Sequence, residues 1–362
     1  MKIRSFLLFS SLCLQSVFAQ SLREKYADRL TAPLLYHCSY TAQAPLIDGD
    51  LSDDVWHQAT CISSLHDIRS SVFPEPTLPT EIRLLWDYDN LYVSARLTEP
   101  YITATIAQRD DIVWHENDFE VFLDPDGDGL NYYEIEINAL GTLLDLQMSY
   151  PYRSGGHFFS AWNCPGLQSA VKVSGTISDS IDTDTCWTLE MAIPHKALSV
   201  DFSDALKQSR IWRMNFSRVE WLKNGGPEEN WVWSPTGVVD IHMPERWGYV
   251  FFAGDPLQQR RSNEPLISYL PDDYRFLWML FYAQQDAWAS QQRYFGSLEE
   301  FGLTEDDWQM IRPALLPAIS NVVGTVEPEL GVAATPHGFE LWLKRGERTL
   351  ILDNLGYFRI EK

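Results

Sequence analysis

Residues 113–128, VWHENDFEVFLDPDGD, constrain the fold more than any other part of the chain. Two sets of side chains alternate along them: Asp118, Glu120, Phe122 and Asp124 on one side, and Phe119, Val121 and Leu123 on the other. This two-residue period is typical of a strand with one apolar and one mostly acidic face. The PDGDG sequence at 125–129 then favours a hairpin turn. The segment predicts an antiparallel sheet, with Glu120 on its polar face.

Other short segments before residue 254 show strand patterns: 82–86, 91–97, 132–138, 143–148, 170–177, 187–193, 212–219 and 248–252. Short helical pieces are predicted at 53–59 and 195–198. After residue 254 we expect a helix at 274–295, a broken helical stretch at 304–319, and strands at 339–343, 348–352 and 357–360. The chain therefore predicts a mainly β fold, an antiparallel β-sandwich followed by a small α+β C-terminal region.

The ends of the chain predict export to the periplasm or the medium. Lys2 and Arg4 precede an apolar run and small residues near Ala19, so residues 1–19 are interpreted as a cleaved signal peptide. No later segment reaches the roughly 20 apolar residues of a membrane span. The remaining division is an N-terminal extension at 20–43, the β-sandwich at 44–254, a linker at 255–271 and the C-terminal region at 272–362.

The chain is strongly acidic. Its formal net charge is -22, and loss of Lys2 and Arg4 with the signal peptide makes it -24. A charge of this sign argues against nucleic acid and anionic membrane surfaces as partners. It favours a neutral or cationic ligand.

Four cysteines remain after residue 19: Cys38, Cys61, Cys164 and Cys186. An even number in an exported protein favours disulfides over metal ligation. Three pairings satisfy the sequence. We expect Cys38 with Cys61 and Cys164 with Cys186, since each pairing closes a loop of about 22 residues.

Asp124, Asp126 and Asp128 imitate the first half of a calcium-binding loop. The twelfth position of that loop is Ile135 rather than a bidentate Glu, which excludes an EF-hand. A hairpin turn explains the three residues, and a structural calcium ion is the alternative. No other cofactor is expected.

Trp114 precedes the strand that carries Glu120. This combination is typical of sugar binding, because an aromatic ring covers the apolar side of a pyranose while a charged acceptor orients its hydroxyls.

Ordered blocks of the chain resemble carbohydrate-binding module family 9. They are LIDGDL at 46–51, LWD at 85–87, NDFEVFLD at 117–124, YYEIEIN at 132–138, WTLEMAIP at 187–194, RMNFSR at 213–218, WVWS at 231–234 and HMPE at 242–245. The resemblance covers about residues 44–252. It implies a two-sheet sandwich of the broader DOMON type that binds sugar without cleaving it, and it admits a calcium ion because the family includes calcium-binding members.

The resemblance also implies the binding residues. In the family two tryptophans hold a sugar between their rings. Trp114 with Glu120 matches the first tryptophan and its carboxylate, and Asn230 with Trp233 matches the second tryptophan and its amide. Trp162 is an alternative platform. The remaining tryptophans inside strand or helix patterns are expected in the core: Trp56, Trp86, Trp187, Trp212 and Trp247.

The favoured function is non-catalytic carbohydrate binding, in the use of a polysaccharide or oligosaccharide, beside a separate glycoside hydrolase or transporter. Two other classes stay open. A glycoside hydrolase needs two carboxyl groups across a cleft, and the candidates are Glu116, Glu120, Glu134 and Glu136. A haem-binding redox sandwich needs axial ligands, and the candidates are Met148, His157, Met214, His242 and Met243.

Overall fold

The structure is a computed structural model that describes residues 20–70, 72–179, 181–198, 211–221, 227–254, 271–312 and 327–361. The predicted signal peptide and nearly all of the predicted linker lie outside the described residues, as does the second half of the predicted helical stretch at 304–319.

The described residues contain eighteen strands, numbered in chain order: β1 Leu35–Tyr40, β2 Cys61–Ile62, β3 His66–Asp67, β4 Thr80–Trp86, β5 Asn90–Thr98, β6 Asp118–Asp124, β7 Tyr133–Asn138, β8 Leu143–Met148, β9 Phe158–Phe159, β10 Gln168–Ser174, β11 Cys186–Pro194, β12 Ile211–Trp221, β13 Glu228–Val232, β14 Gly248–Ala253, β15 Glu329–Thr335, β16 Gly338–Arg345, β17 Arg348–Asp353 and β18 Phe358–Glu361.

The α-helices are α1 Leu22–Lys25, α2 Pro271–Gln291 and α3 Glu305–Trp308. Short 3-10 helices occur at Ala27–Arg29, Asp54–Gln58, Val113–His115, Tyr152–Ser154, His195–Leu198, Pro244–Arg246 and Leu298–Phe301.

The first fourteen strands form one curled sheet in the order β10-β11-β5-β4-β1-β14-β12-β6-β7-β8-β9, with β13 and β3 beyond β12 and β2 on β4. Most of its strand pairs are antiparallel, and the predicted mainly β sandwich is confirmed. The sequence patterns did not indicate β1, which pairs parallel to both β14 and β4. This strand joins the two halves of the sandwich into one mixed sheet.

The main core lies between these two halves. Leu84, Val93 and Leu189 face it from one half, and Val121 and Phe216 face it from the other. The five tryptophans expected in the interior, Trp56, Trp86, Trp187, Trp212 and Trp247, are all buried, which confirms that prediction.

The C-terminal region is a second, antiparallel sheet, β15-β16-β17-β18, covered by α2. Pro271 starts the helix, where its missing N–H costs no hydrogen bond. Residues 276–284 of this helix are buried continuously, on all of its sides. The reason is that the helix has neighbours on several sides: Phe339 of the small sheet, Tyr26 of the N-terminal segment, and Glu245 of the sandwich.

The C-terminal region docks on the turn that follows β6. The N–H of Phe358 donates to the Asp128 carbonyl at 3.3 Å, and the Tyr282 hydroxyl donates to the Glu245 carboxylate at 2.9 Å. Arg153 lies over the ring of Trp278 and also donates to Glu245. The C-terminal region therefore covers one end of β6, and Trp114 lies before the opposite end.

Candidate functional site

Three ladder rows cross β13, β12, β6 and β7 on the surface turned away from the main core, which we call the outer face. The first row is Glu228 and Trp221, the second is Asn230, Val219, Asp118 and Asn138, and the third is Val232, Ser217, Glu120 and Glu136. Successive rows on one face of a sheet lie about 6.6 Å apart. The predicted alternation along β6 is confirmed, since Phe119, Val121 and Leu123 point into the main core.

Much of the outer face is not exposed. Asp118 is 0% exposed, Glu120 5% and Glu136 2%. The segment before β6 covers them, because Val113 packs with Phe122 and Leu144 in a separate apolar cluster.

The covering segment is fixed by Glu116. Its carboxylate accepts hydrogen bonds from the N–H groups of Thr105 and Ile106 and from Asn138 Nδ2. The acidic surface predicted from the sequence is therefore a second, small interior.

Burial raises the pKa of four carboxyl groups in this interior, those of Asp118, Glu120, Glu134 and Glu136. It raises the pKa of Glu120 to about 7 and that of Glu134 to about 8. The pKa values of Asp118 and Glu136 lie well above their ordinary values, again through burial first and neighbouring carboxylates second. Water no longer stabilises the charged form of these groups.

Trp114 lies at the open end of the outer face and is 39% exposed. It belongs to the 3-10 helix Val113–His115, in which Val113 is fully buried and holds the turn against the sheet. The Trp114 ring contacts His115 edge to face, with 4.3 Å between the ring centroids. The expectation that Trp114 binds sugar stays a prediction.

Trp221 is a candidate that the sequence interpretation missed. It ends β12, is 38% exposed, and donates from Nε1 to the carbonyl oxygen of Trp114 at 3.3 Å. The predicted strand stopped at residue 219. Continuing its alternation by two residues places Trp221 on the same face as Ser217 and Val219, and that signal was available in the sequence.

Two polar side chains adjoin Trp221 on β13. Glu228 is paired with Trp221 across the ladder, and Asn230 Nδ2 donates to the Glu228 carboxylate at 2.8 Å. Both side chains are half-buried. Asn230 therefore lies on the outer face, and the half-buried carboxylate beside it is Glu228 rather than Glu120.

A buried ionic network holds this end of the sheet from the core side. Arg218 donates to Glu99 at 2.8 Å and to Glu220 at 2.7 Å. Asn117 donates to both of these carboxylates, and its Oδ1 accepts the backbone N–H of Trp221 at 2.8 Å. Trp221 is thus held through its backbone by Asn117 and through its indole by Trp114.

Trp233 and Trp162 do not lie on the outer face. Trp233 is 5% exposed and packs in the main core against Tyr36 and Phe216. Trp162 contacts Tyr133, whose side chain points from β7 into the main core. The predicted arrangement of Glu120 between Trp114 and Trp233 is therefore wrong, because Trp233 and Glu120 point to opposite faces of the sheet.

The Asp124 turn is built as a tight hairpin. Asp124 is fully buried and accepts the N–H groups of Gly127 and Gly129, both at 3.0 Å. Asp126 and Asp128 each place a carboxylate oxygen within 4.8 Å of Asp124 and of one another. Three carboxylates at this spacing suit a Ca²⁺ ion, and calcium at this turn stays a prediction.

The predicted disulfides are not formed, since Cys38, Cys61, Cys164 and Cys186 are free thiols. Gly166, two residues after Cys164, lies against Pro194 at the end of β11, whereas Cys186 begins that strand. At about 3.3 Å per residue, Pro194 and Cys186 are more than 20 Å apart along this strand. Cys164, which lies near Pro194, is therefore beyond the reach of a disulfide with Cys186.

The first pair is separated by a packed side chain. The Tyr36 hydroxyl donates to the Thr60 carbonyl at 2.6 Å and accepts the Leu84 N–H at 3.2 Å, so it lies beside the start of β2. Cys38 is fully buried, and Cys61 Sγ instead lies 3.5 Å from the Ile62 carbonyl.

All of the candidate hydrolase and haem residues except His157 occupy packed positions. Glu116, Glu120, Glu134 and Glu136 are all buried. Met214 lies in the main core, Met148 packs in the separate apolar cluster with Val113, and Met243 packs in the apolar core around helix α2. His242 Nδ1 lies 3.0 Å from the Tyr132 hydroxyl, and burial lowers its pKa to about 3. His157 is exposed.

Within the part of the chain that the structure describes, no helix is both long and apolar enough to cross a membrane.

Comparison with known proteins gives three further findings. Endo-1,4-beta-xylanase A of Thermotoga neapolitana is 26% identical over 129 residues, which are 36% of this chain and 11% of the xylanase. The chain thus matches a small part of that enzyme. A protein from Bacteroides uniformis, provisionally classed as carbohydrate-binding, aligns with a TM-score of 0.47 at 16% identity, over 61% of this chain and 100% of its own. A family 9 module from Caldicellulosiruptor kristjanssonii in complex with cellotriose aligns with a TM-score of 0.41 at 16% identity, over 66% and 100% of the two chains.

The model of the family described as carbohydrate family 9 binding domain-like matches residues 47–254. This range includes the outer face, Trp114 and Trp221. It is also more than half of the chain, so the protein belongs to the carbohydrate family 9 binding domain-like family.

Proposed function

We propose that the sandwich binds carbohydrate, without cleaving it, at the open end of the outer face. The observation that carries this proposal is the pair of exposed indoles of Trp114 and Trp221. The Trp221 indole N–H donates to the backbone carbonyl of Trp114, and Glu228 and Asn230 lie beside Trp221. Exposed aromatic faces stack on the apolar side of a sugar ring, and a carboxylate with an amide orients its hydroxyls. Membership of the family supports the same conclusion.

A binding role fits this end of the sheet better than hydrolysis. Hydrolysis requires an acid and a base or nucleophile that both reach the scissile bond. The buried carboxylates Glu120, Glu134 and Glu136 are at most 5% exposed, and Glu116 is occupied by backbone and amide donors. Glu228 is a carboxylate that lies opposite Trp221, and one carboxylate serves to orient a sugar.

We further propose that the protein acts after export and supplies a polysaccharide- or oligosaccharide-degrading system, beside a separate hydrolase or transporter. Residues 1–19 have the composition of a signal peptide, which motivates this step. Cell fractionation tests it, and retention of the chain in the cytoplasm with residues 1–19 uncleaved would count against it.

The binding proposal is tested by a glycan array on the mature chain, followed by titration calorimetry with the best ligand; cellotriose and xylotriose are suitable first probes. Trp221→Ala and Trp114→Ala should each weaken binding by about 1–3 kcal/mol, or about 5- to 150-fold, through loss of stacking. Glu228→Gln should weaken it less, because a neutral acceptor still forms a weaker hydrogen bond.

The matched control is Phe158→Ala. This residue is 53% exposed on β9, so the variant removes an exposed aromatic ring from another part of the sheet and should bind like the wild type. Unchanged affinity in a Trp114→Ala, Trp221→Ala double variant that retains its near-ultraviolet circular dichroism would refute the proposed site. A folded wild-type protein that binds no glycan would refute the function.

A further inference from the structure

Three carboxylates meet inside the outer face, next to the residues that we propose to bind sugar. Asp118 and Glu120 lie two residues apart on β6, and Glu136 lies directly opposite Glu120 on β7. One oxygen of each lies within 4.8 Å of the other two. This is the spacing of oxygen ligands around one ion, since two ligands at about 2.4 Å on opposite sides of a calcium ion are about 4.8 Å apart.

Three of the six carboxylate oxygens of this cluster lack the partners that buried carboxylates normally have. Neither oxygen of Asp118 has a hydrogen-bond partner, and the same holds for Oε2 of Glu136. The Val219 N–H faces Asp118 across the ladder and lowers its pKa, but it offsets only part of the effect of burial. Asp118 is 0% exposed and Glu136 2%, so water does not replace these partners. A buried charge in this state is strongly destabilising unless it is paired or binds a metal.

The charged groups that act on the cluster have the same sign. Glu134 and Glu116 act on Asp118, Glu134 acts on Glu136, and Glu228 acts on Glu120. Ser217, opposite Glu120 on β12, contributes a hydroxyl, which is a further oxygen ligand. The surroundings therefore attract a cation and supply only oxygen.

We infer that Asp118, Glu120 and Glu136 form a binding site for a divalent cation with oxygen preference, Ca²⁺ in the first place. Calcium accepts several protein carboxylates in irregular geometry, whereas magnesium keeps several of its waters. A site whose ligands are at most 5% exposed leaves little room for such waters. The inference does not depend on sugar binding, because the platform uses Trp114, Trp221, Glu228 and Asn230.

The test uses the mature chain stripped with EDTA and passed into metal-free buffer. Calorimetric titration with CaCl₂ should show a saturable site, and excess Ca²⁺ should raise Tm by several degrees because the ion binds only the folded state. Asp118→Asn and Glu136→Gln should each weaken this binding at least about tenfold. Asp118→Asn should also leave the Tm of the stripped protein unchanged or higher, since it removes an unpaired buried carboxylate.

The matched control is Asp126→Asn, the same substitution in the second acidic cluster, at the β6 turn. It should retain the calcium affinity of the site. If near-ultraviolet circular dichroism shows that Asp118→Asn does not fold, the calcium affinity of Glu136→Gln decides the test. The inference is overturned if the stripped wild type binds no Ca²⁺, if Glu136→Gln binds Ca²⁺ with wild-type affinity, or if Asp126→Asn alone abolishes binding. Equal or tighter binding of Mg²⁺ overturns the assignment to calcium.

Discussion

Replacing Arg218 by Met should lower the free energy of unfolding by about 3–5 kcal/mol. The Arg218 side chain is 1% exposed, and it donates to Glu99, Glu220, Thr80 Oγ1 and the Thr98 carbonyl. Without the guanidinium, two buried carboxylates lose their cation. Met retains most of the volume of the arginine stem, so the loss reports the charge network rather than a cavity.

The pH dependence of this loss follows from Glu220. Burial outweighs the effect of Arg218 and raises the pKa of Glu220 to about 8. Below this pH the residue takes up a proton, and an unpaired neutral carboxyl is less costly than an unpaired charge. The loss in Arg218→Met should therefore be smaller at pH 6 than at pH 9. In the wild type, this raised pKa contributes stability that is present below the ordinary value of 4.5 and is lost as the pH rises through 8.

Urea unfolding, followed by tryptophan fluorescence at pH 6 and pH 9, measures both effects. The control is Arg69→Met, which removes an arginine whose side chain is 45% exposed and paired with Asp67, and which should cost at most about 1 kcal/mol. A loss in Arg218→Met no larger than that in Arg69→Met would refute the reasoning. So would a loss that does not grow between pH 6 and pH 9.

Three further outcomes are expected. Burial lowers the pKa of His195 to about 4, so between pH 6.5 and pH 4 the unfolded chain binds a proton that the folded chain does not. Through this residue the free energy of unfolding should fall by about 2 kcal/mol from pH 7 to pH 5. His195→Gln should remove that part of the pH dependence in urea titrations. Gly248→Ala places a Cβ 2.4 Å from Trp233 Cζ3 and should cost about 1–3 kcal/mol in the same assay, and a neutral result would contradict the packing described. Unreduced mature protein in denaturant should show four thiols to a chromogenic reagent, one for each of Cys38, Cys61, Cys164 and Cys186; fewer than four would indicate disulfides.

The sequence predicted the strands of the sandwich well where alternation is strong, as in β5, β6 and β11. It did not predict β1, β2, β3, β9 or β13. β2, β3 and β9 have two residues each, too few for a period to be visible. β1 is parallel to both neighbours, and its alternation is blurred because Leu35 is exposed while Tyr36 and Cys38 are buried. Such a pairing depends on contacts distant in the chain.

Of the residues that the resemblance implied, Trp114 is exposed and Asn230 lies on the outer face. Their role in sugar binding stays a prediction. Trp233 was assigned to the wrong face of the sheet because a match in spacing from Asn230 does not show which face a side chain occupies. Two residues separated by an odd number of positions along a strand point to opposite faces. Asn230 and Trp233 are three residues apart, so an extended chain turns them to opposite sides. The same rule, applied from Ser217, places Trp221 on the correct side.

The burial of Asp118, Glu120 and Glu136 follows from a segment that no local pattern reveals. Alternation assigns each side chain to a face, but it does not say what covers that face. Here Val113 and Glu116 fix the chain before β6 over β7 and β8. The carboxylates under this segment are therefore shielded from water, while Trp114 and Trp221, at its edge, stay exposed to solvent. The outer face thus has two chemically distinct regions, an open end suited to a sugar and a closed interior suited to a cation.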